Sequence, residues 1–139
     1  MKQKFFNLEI NTDGQKLYEF TDLTDNWIKK NDFNNGILNL SIQHTSASII
    51  IQENADPDVQ TDLIKYFDNL VPMDDKLYIH TSEGKDDMPA HIKSALTNNQ
   101  ISLSIKNHSL LLGTWQGIYL FEHRIDPQKR KIIHHFIGD

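Results

Sequence analysis

The 139-residue chain carries 14 Lys plus Arg against 19 Asp plus Glu, a net charge of -5 with the histidines neutral. That length suits one domain, 1–139, with a single core, and the acidic balance disfavours a nucleic-acid backbone as partner. With no cysteine, the chain has no disulfide framework, thiolate nucleophile or sulfur-based metal site.

The first residues, MKQKFFNLEINTDG, lack the continuous apolar segment of a signal peptide. No run approaches transmembrane length. A cytoplasmic protein with no membrane partner is therefore expected. The basic PQKRK at 127–131 reads as a solvated turn.

Taken in chain order, residues 3–10 predict a first strand and 16–20 a second, joined as a hairpin around Asn11–Gly14. Residues 22–30 predict a short helix, with Leu23 and Trp27 four apart and two lysines near its end. Residues 37–43 resume a strand period. Leu38, Leu40, Ile42 and His44 share one face, so the histidine ends a buried row. Ala47–Ile51 continues as an apolar strand after a bend or bulge near Thr45–Ser46.

A helix over about 57–70 follows. Asp56 can cap it, Pro57 suits its first turn, and Val59, Leu63, Phe67 and Leu70 form a stripe. Residues 76–81 predict another strand, and 89–97 a short helix with Ile92, Ala95 and Leu96 inward. The last third predicts strands at 101–106, 109–112, 115–124 and 131–137, the final two forming a hairpin. The fold class is α+β: a mainly antiparallel β-sandwich with two or three short helices.

Three of the seven histidines, His44, His80 and His91, have polar, loop-adjacent contexts. Three imidazoles can hold zinc or another transition metal and leave one position for water or substrate. They can also bind phosphate or exchange protons near neutrality. His123 shares a strand face with aromatic residues, as a packed side chain would. His134 and His135 point to opposite faces of a strand and cannot share one pocket.

Glu53, Asn54, Asp56 and Asp58 form one polar bend, and Glu83, Asp86 and Asp87 another. Such carboxylates can bind Mg2+, orient a ligating histidine or act as general bases. Helix capping is the plainer role for Asp56. Ser46 and Ser48 lie in no GxSxG elbow. Thr45 and Ser46 suit hydrogen bonds to a phosphate. Between Gly113 and Gly117, Trp115 could stack on a flat ring and Gln116 could bind its edge, if a bulge brings their opposite faces together.

HTSASIIIQENADPDVQTDL, the segment from His80 through EGKDDMPAHIKSAL, and LGTWQGIYLFEHR together resemble the YjbQ-like family. Its members carry the label secondary thiamine-phosphate synthase. The resemblance extends over nearly the whole chain. It implies an antiparallel fold of jelly-roll-like character and a homotrimer. It also implies that His44, His80 and His91 converge on a metal, with Glu53, Asp56, Glu83 and Asp86 as catalytic carboxylates. Thr45, Ser46, Asn54, Gly113, Thr114, Trp115 and Gln116 would bind substrate. The tail from Glu122 departs from the family's turn, which leaves Arg124 and Arg130 only a weak claim to a role there.

The implied reaction joins a pyrimidine-methyl pyrophosphate to a thiazole phosphate and releases pyrophosphate, with Mg2+ on the phosphates. The second reading is a metal-dependent hydrolase or related enzyme of a small phosphorylated metabolite. The third is a non-catalytic trimeric metabolite-binding protein.

Overall fold

A computed structural model describes all residues from Met1 to Asp139. The chain runs β1 (Lys2–Thr12), β2 (Leu17–Glu19), α1 (Thr21–Lys30), β3 (Gly36–Ile42), β4 (Ala47–Glu53), α2 (Pro57–Leu70), α3 (Asp87–Leu96), β5 (Gln100–Lys106), β6 (Ser109–Leu110), β7 (Gln116–Glu122) and β8 (Gln128–Gly138). A five-stranded sheet has the order β1-β8-β3-β5-β6, and a three-stranded sheet the order β2-β7-β4. Every pairing is antiparallel. The α+β sandwich expected from the sequence is the observed architecture.

The two sheets share one core. Leu38, Leu40, Ile105, Ile132 and Phe136 come from the larger sheet and Ala47, Ile49, Ile118 and Leu120 from the smaller. Successive residues of a strand face opposite ways, so Tyr119 and Phe121 project away from this core. There they meet Leu63, Ile64 and Phe67 of α2. The helix thus buries the outer side of the small sheet, and β7 is buried on both faces.

Several predicted elements differ. β1 and β2 form no hairpin, because β1 pairs with β8 and β2 with β7 in different sheets. β7 and β8 are likewise separated, so the turn between them crosses from sheet to sheet. The bend after β3 is also a crossing, at Gln43–Ser46. Residues 76–81 form no strand. Asp75–Leu77 is a single 3-10 turn, with the Asp74 carboxylate accepting from Lys76 N at 3.0 Å, and Ile79 lies fully in solvent. PQKRK is no solvated turn, since Arg130 lies buried in β8.

Helix faces also rotate from their expected positions. In α1 the buried residues are Thr24 and Ile28, while Leu23 is exposed. In α3 they are Asp87, Pro89, Ala90, Lys93 and Ser94, while Leu96 is exposed. The apolar side of α3 is therefore not the inward one. Its buried charges are paired instead: Lys93 Nζ donates to Asp68 at 2.5 Å, and Asp87 is bound as described below.

A buried ion pair ties the sheets together. Arg130 of β8 donates to both oxygens of Glu122 of β7, with Nε to Oε2 at 2.7 Å. Glu122 also accepts from Thr12 Oγ1 at 2.8 Å and Arg124 N at 3.0 Å. Arg130 Nη2 donates onward to Ser46 Oγ at 3.0 Å. This full set of partners is what makes two buried charges tolerable.

Two core histidines set the pH response. The Thr24 hydroxyl donates its one proton to Phe20 O at 3.0 Å, so His134 Nε2, 2.8 Å away, carries the ring proton. His134 Nδ1 is buried without a partner, as is Nδ1 of His123, whose Nε2 meets Ser48 Oγ at 2.9 Å. Burial pushes the pKa of His134 down to about 4 and that of His123 to about 3. The unfolded chain binds these protons near pH 6.5. Stability from these groups is therefore complete above about pH 6.5 and drains as pH falls, by up to about 1.4 kcal/mol per pH unit for each. Urea midpoints should fall steadily from pH 7 to pH 5, and His134→Phe should flatten part of that slope. A variant slope as steep as the parent's contradicts this assignment.

Candidate metal centre

α3 opens directly after a tight loop. Gly84 takes a left-handed φ of +109° there, a conformation that glycine adopts without steric cost. The neighbouring Glu83 carbonyl accepts from Arg124 Nη2 at 3.0 Å. Asp87 lies in the first turn of α3, and His91 is four residues further on, on the same helix face. His80 approaches from the irregular segment before the loop, its ring centroid 5.6 Å from that of His91.

The ligand atoms of His80, Glu83, Asp87 and His91 all lie within 4.8 Å of one another. His80 Nε2 is 2.7 Å from Asp87 Oδ2 and 3.3 Å from Glu83 Oε2, and His91 Nε2 is 3.1 Å from Asp87 Oδ2. Ligands about 2.0–2.1 Å from one tetrahedral zinc sit about 3.3 Å apart, a spacing that the His80–Glu83 and His91–Asp87 pairs approach, while His80 and Asp87 stand at hydrogen-bond distance. Asp87 is buried, His91 is partly covered, and His80 and Glu83 are exposed. The set is anchored from within and open to solvent.

The tautomer of His91 strengthens the fit. Its Nδ1 is 2.9 Å from Thr45 O. A carbonyl only accepts, so Nδ1 must carry the proton. In the neutral ring, Nε2 then turns a lone pair toward the Asp87 carboxylate. Two lone pairs at 3.1 Å repel unless a proton or cation lies between them. A carbonyl holding the far nitrogen of an imidazole is the usual support for a metal ligand.

Arg124 supplies the matching support for Asp87. Its Nη1 donates to Asp87 Oδ1 at 2.7 Å and its Nε to Asp86 Oδ2 at 2.9 Å. Burial alone would raise the Asp87 pKa, but the His80 hydrogen bond and the nearby His91 and Arg124 charges bring it below the usual carboxylate range. The Asp87 hydrogen bond leads the causes that raise the pKa of His80.

The predicted site residues divide into separate groups. His80, His91 and Glu83 converge as expected, but His44 does not join their ligand atoms. Its Nε2 accepts from Lys131 N at 2.8 Å, and burial, followed by the Arg130 charge, lowers its pKa. His44 instead shares with His91 a hollow of about 230 Å³, also lined by Thr45, Ser94, Ala95 and Asn99. Asp86 is committed to Arg124 and to Ile125 N at 2.9 Å. Ser46 is buried against Arg130.

Glu53 and Asn54 lie elsewhere. β4 and β7 pair with Ala47 opposite Glu122 and Glu53 opposite Gln116. The His91 and Arg124 end is therefore separated from the Glu53 end by the length of the strand, about 20 Å. At the far end Asn54 N donates to Trp115 O at 3.0 Å, and Trp115 is 63% exposed. Gln116 Oε1 is taken by Gly113 N at 2.7 Å, which closes the loop through Thr114 on itself. Asp56 only caps α2, accepting from Asp58 N at 2.9 Å. Within one chain, Glu53, Asn54, Asp56 and Gly113–Gln116 cannot line the histidine site.

Sequence reasoning placed Asp87 in an acidic loop and gave Arg124 little weight. The aspartate and histidine four apart, D-x-x-x-H, were the available signal, since helical spacing puts both on one face. Zinc affinity should fall at least about tenfold for Asp87→Asn, and about 10–100-fold for Arg124→Met, which leaves every ligand side chain itself unchanged. It should also weaken as pH drops through the raised His80 pKa, because protons then compete with the ion. Calorimetric titration with zinc checks all three, and unchanged affinity in both variants contradicts the assignment.

The family model "UPF0047 protein YjbQ-like" matches residues 6–139. The UPF0047 protein sll1880 of Synechocystis is 48% identical over 95% of this chain and 90% of its own. YjbQ of Salmonella typhimurium is 49% identical over 70% of each chain. A yjbq/upf0047-family protein of Clostridium acetobutylicum superposes with a TM-score of 0.81 at 33% identity, covering 96% of this chain and 99% of that one. These relationships support the family and tie it to no thiamine-phosphate chemistry. The converged cluster of two histidines and two carboxylates is one that could hold a divalent metal, and the neighbouring Arg124 is already paired with Asp86 and Asp87. The expected thiamine-phosphate synthase activity is overturned on both grounds. The chain belongs to the UPF0047, YjbQ-like family.

Proposed function

We propose that the protein is a divalent-metal-dependent hydrolase, with His80, Asp87 and His91 as the ligands and zinc as the ion best matched to them. The observation that carries this reading is the convergence of two imidazole nitrogens on one buried carboxylate, with the His91 tautomer fixed by the Thr45 carbonyl. Two histidines and a carboxylate leaving one open position is a recurrent hydrolytic zinc set. When bound, such an ion supplies Lewis acidity and makes water acidic enough to react near neutral pH.

The chain's own residues supply the rest. Arg124 fixes the Asp87 carboxylate so that Oδ2 faces the imidazoles while Oδ1 is held away. Thr45 sets the His91 ring. Glu83 has the most exposed side chain of the four, at 63%, and lies on the solvent side. There it can take the proton from the attacking water as general base. The open side of the cluster gives substrate its approach.

Zinc-loaded protein should hydrolyse p-nitrophenyl acetate above a heat-inactivated control. Chelation or Asp87→Asn should abolish that activity. Glu83→Gln should keep the metal and lose about 10²–10⁴-fold in kcat. Full turnover in chelated protein removes the hydrolase reading, and tight zinc binding with no turnover favours the binding protein.

A further inference from the structure

A hollow lies beside the cluster. His91 belongs to both: its Nε2 faces Asp87, and the residue lines the hollow. The lining also includes His44, whose ring is held by a backbone N–H. Lys131 N–H can only donate, so His44 Nε2 must offer its lone pair, and the ring proton must sit on Nδ1. The hollow thus has a fixed-tautomer donor in its wall.

No cationic side chain lines this space. Of the basic groups around it, Arg130 is held by Glu122 and Ser46, Lys93 by Asp68, and Arg124 by Asp86 and Asp87, while Lys131 is exposed and is not part of the lining. A divalent ion with Asp87 and Glu83 gives a centre of no net charge. The remaining lining includes Thr45, Ser94 and Asn99, all uncharged and polar. Such a wall can hydrogen-bond an uncharged oxygen but offers no counter-charge to a phosphate. At about 30 Å³ per water, 230 Å³ accommodates a group of on the order of ten non-hydrogen atoms.

Resting on the hydrolase reading, we propose that this hollow is the substrate pocket of the metal centre. His44 is its positioning donor, through Nδ1–H. The occupant is a small uncharged acyl group, an amide or ester, whose carbonyl oxygen accepts that hydrogen bond. His44 is then not a metal ligand, and the pocket selects against phosphorylated compounds.

Ring-nitrogen chemical shifts of isotopically labelled histidine test this in the full chain. Zinc should move the His80 and His91 nitrogens and leave His44 protonated at Nδ1. N-methylacetamide added to the zinc-loaded protein should then shift His44 Nδ1 saturably. Inorganic phosphate should not, and Ala95→Trp, which fills the exposed rim of the hollow, should remove the shift without changing zinc affinity. If zinc deprotonates His44 Nδ1, or phosphate moves it and the amide does not, the pocket assignment is overturned while the metal centre stands. An amide shift that survives Ala95→Trp, or no response to either probe, overturns it as well. If zinc fails to move His80 and His91, the metal centre itself is overturned, and the pocket's role with it.

Discussion

The grip of Arg124 on Asp87 holds the site together. A carboxylate as buried as Asp87 stays ionised only where partners replace its lost water. Arg124 provides that on one oxygen, leaving the other for the imidazoles. The arginine is itself placed from below. Its backbone N–H donates to Glu122, and Glu122 is held by Arg130 from the opposite sheet. A continuous path runs from the five-stranded sheet through Arg130, Glu122, Arg124 and Asp87 to His80 and His91. Cutting such a buried pair by removing one partner costs about 3–5 kcal/mol, so the network serves the fold and the site together.

Much of the architecture was legible because the strands and α2 obey simple periodicities. Leu38, Leu40 and Ile42 alternate, and Asp56–Pro57 announces α2, so the locations of β3 and α2 follow from the sequence. Pairing partners did not follow. Short turns after Thr12 and Glu122 suggest hairpins, yet each turn moves the chain to the other sheet. A turn signal fixes local direction and leaves open which strand is met next. The segment 76–81 failed for a related reason: alternation of apolar residues makes a strand only where a neighbour completes its hydrogen bonds.

The site was half legible. Residue type and context identified His80, His91 and Glu83. Asp87 and the inward face of α3 were hidden, since hydrophobic periodicity finds a buried face only when that face is apolar. On α3 the buried face carries Asp87, Lys93 and Ser94, each with a hydrogen-bond partner contributed by other parts of the chain. Those partners lie 25 or more residues away, beyond any local pattern. His44 looked like a third ligand because its strand row ends at the site. Its lone pair is spent on Lys131 N instead, which converts a candidate ligand into the wall of a hollow.

The most direct measurement is a crystal structure of zinc-loaded protein with anomalous data collected on either side of the zinc edge. The account predicts one strong peak about 2.0–2.2 Å from His80 Nε2, His91 Nε2 and Asp87 Oδ2, with Arg124 still bound to the other Asp87 oxygen and His44 outside the coordination sphere. A fully zinc-exposed crystal with no peak there, or with its peak held by His44, contradicts it.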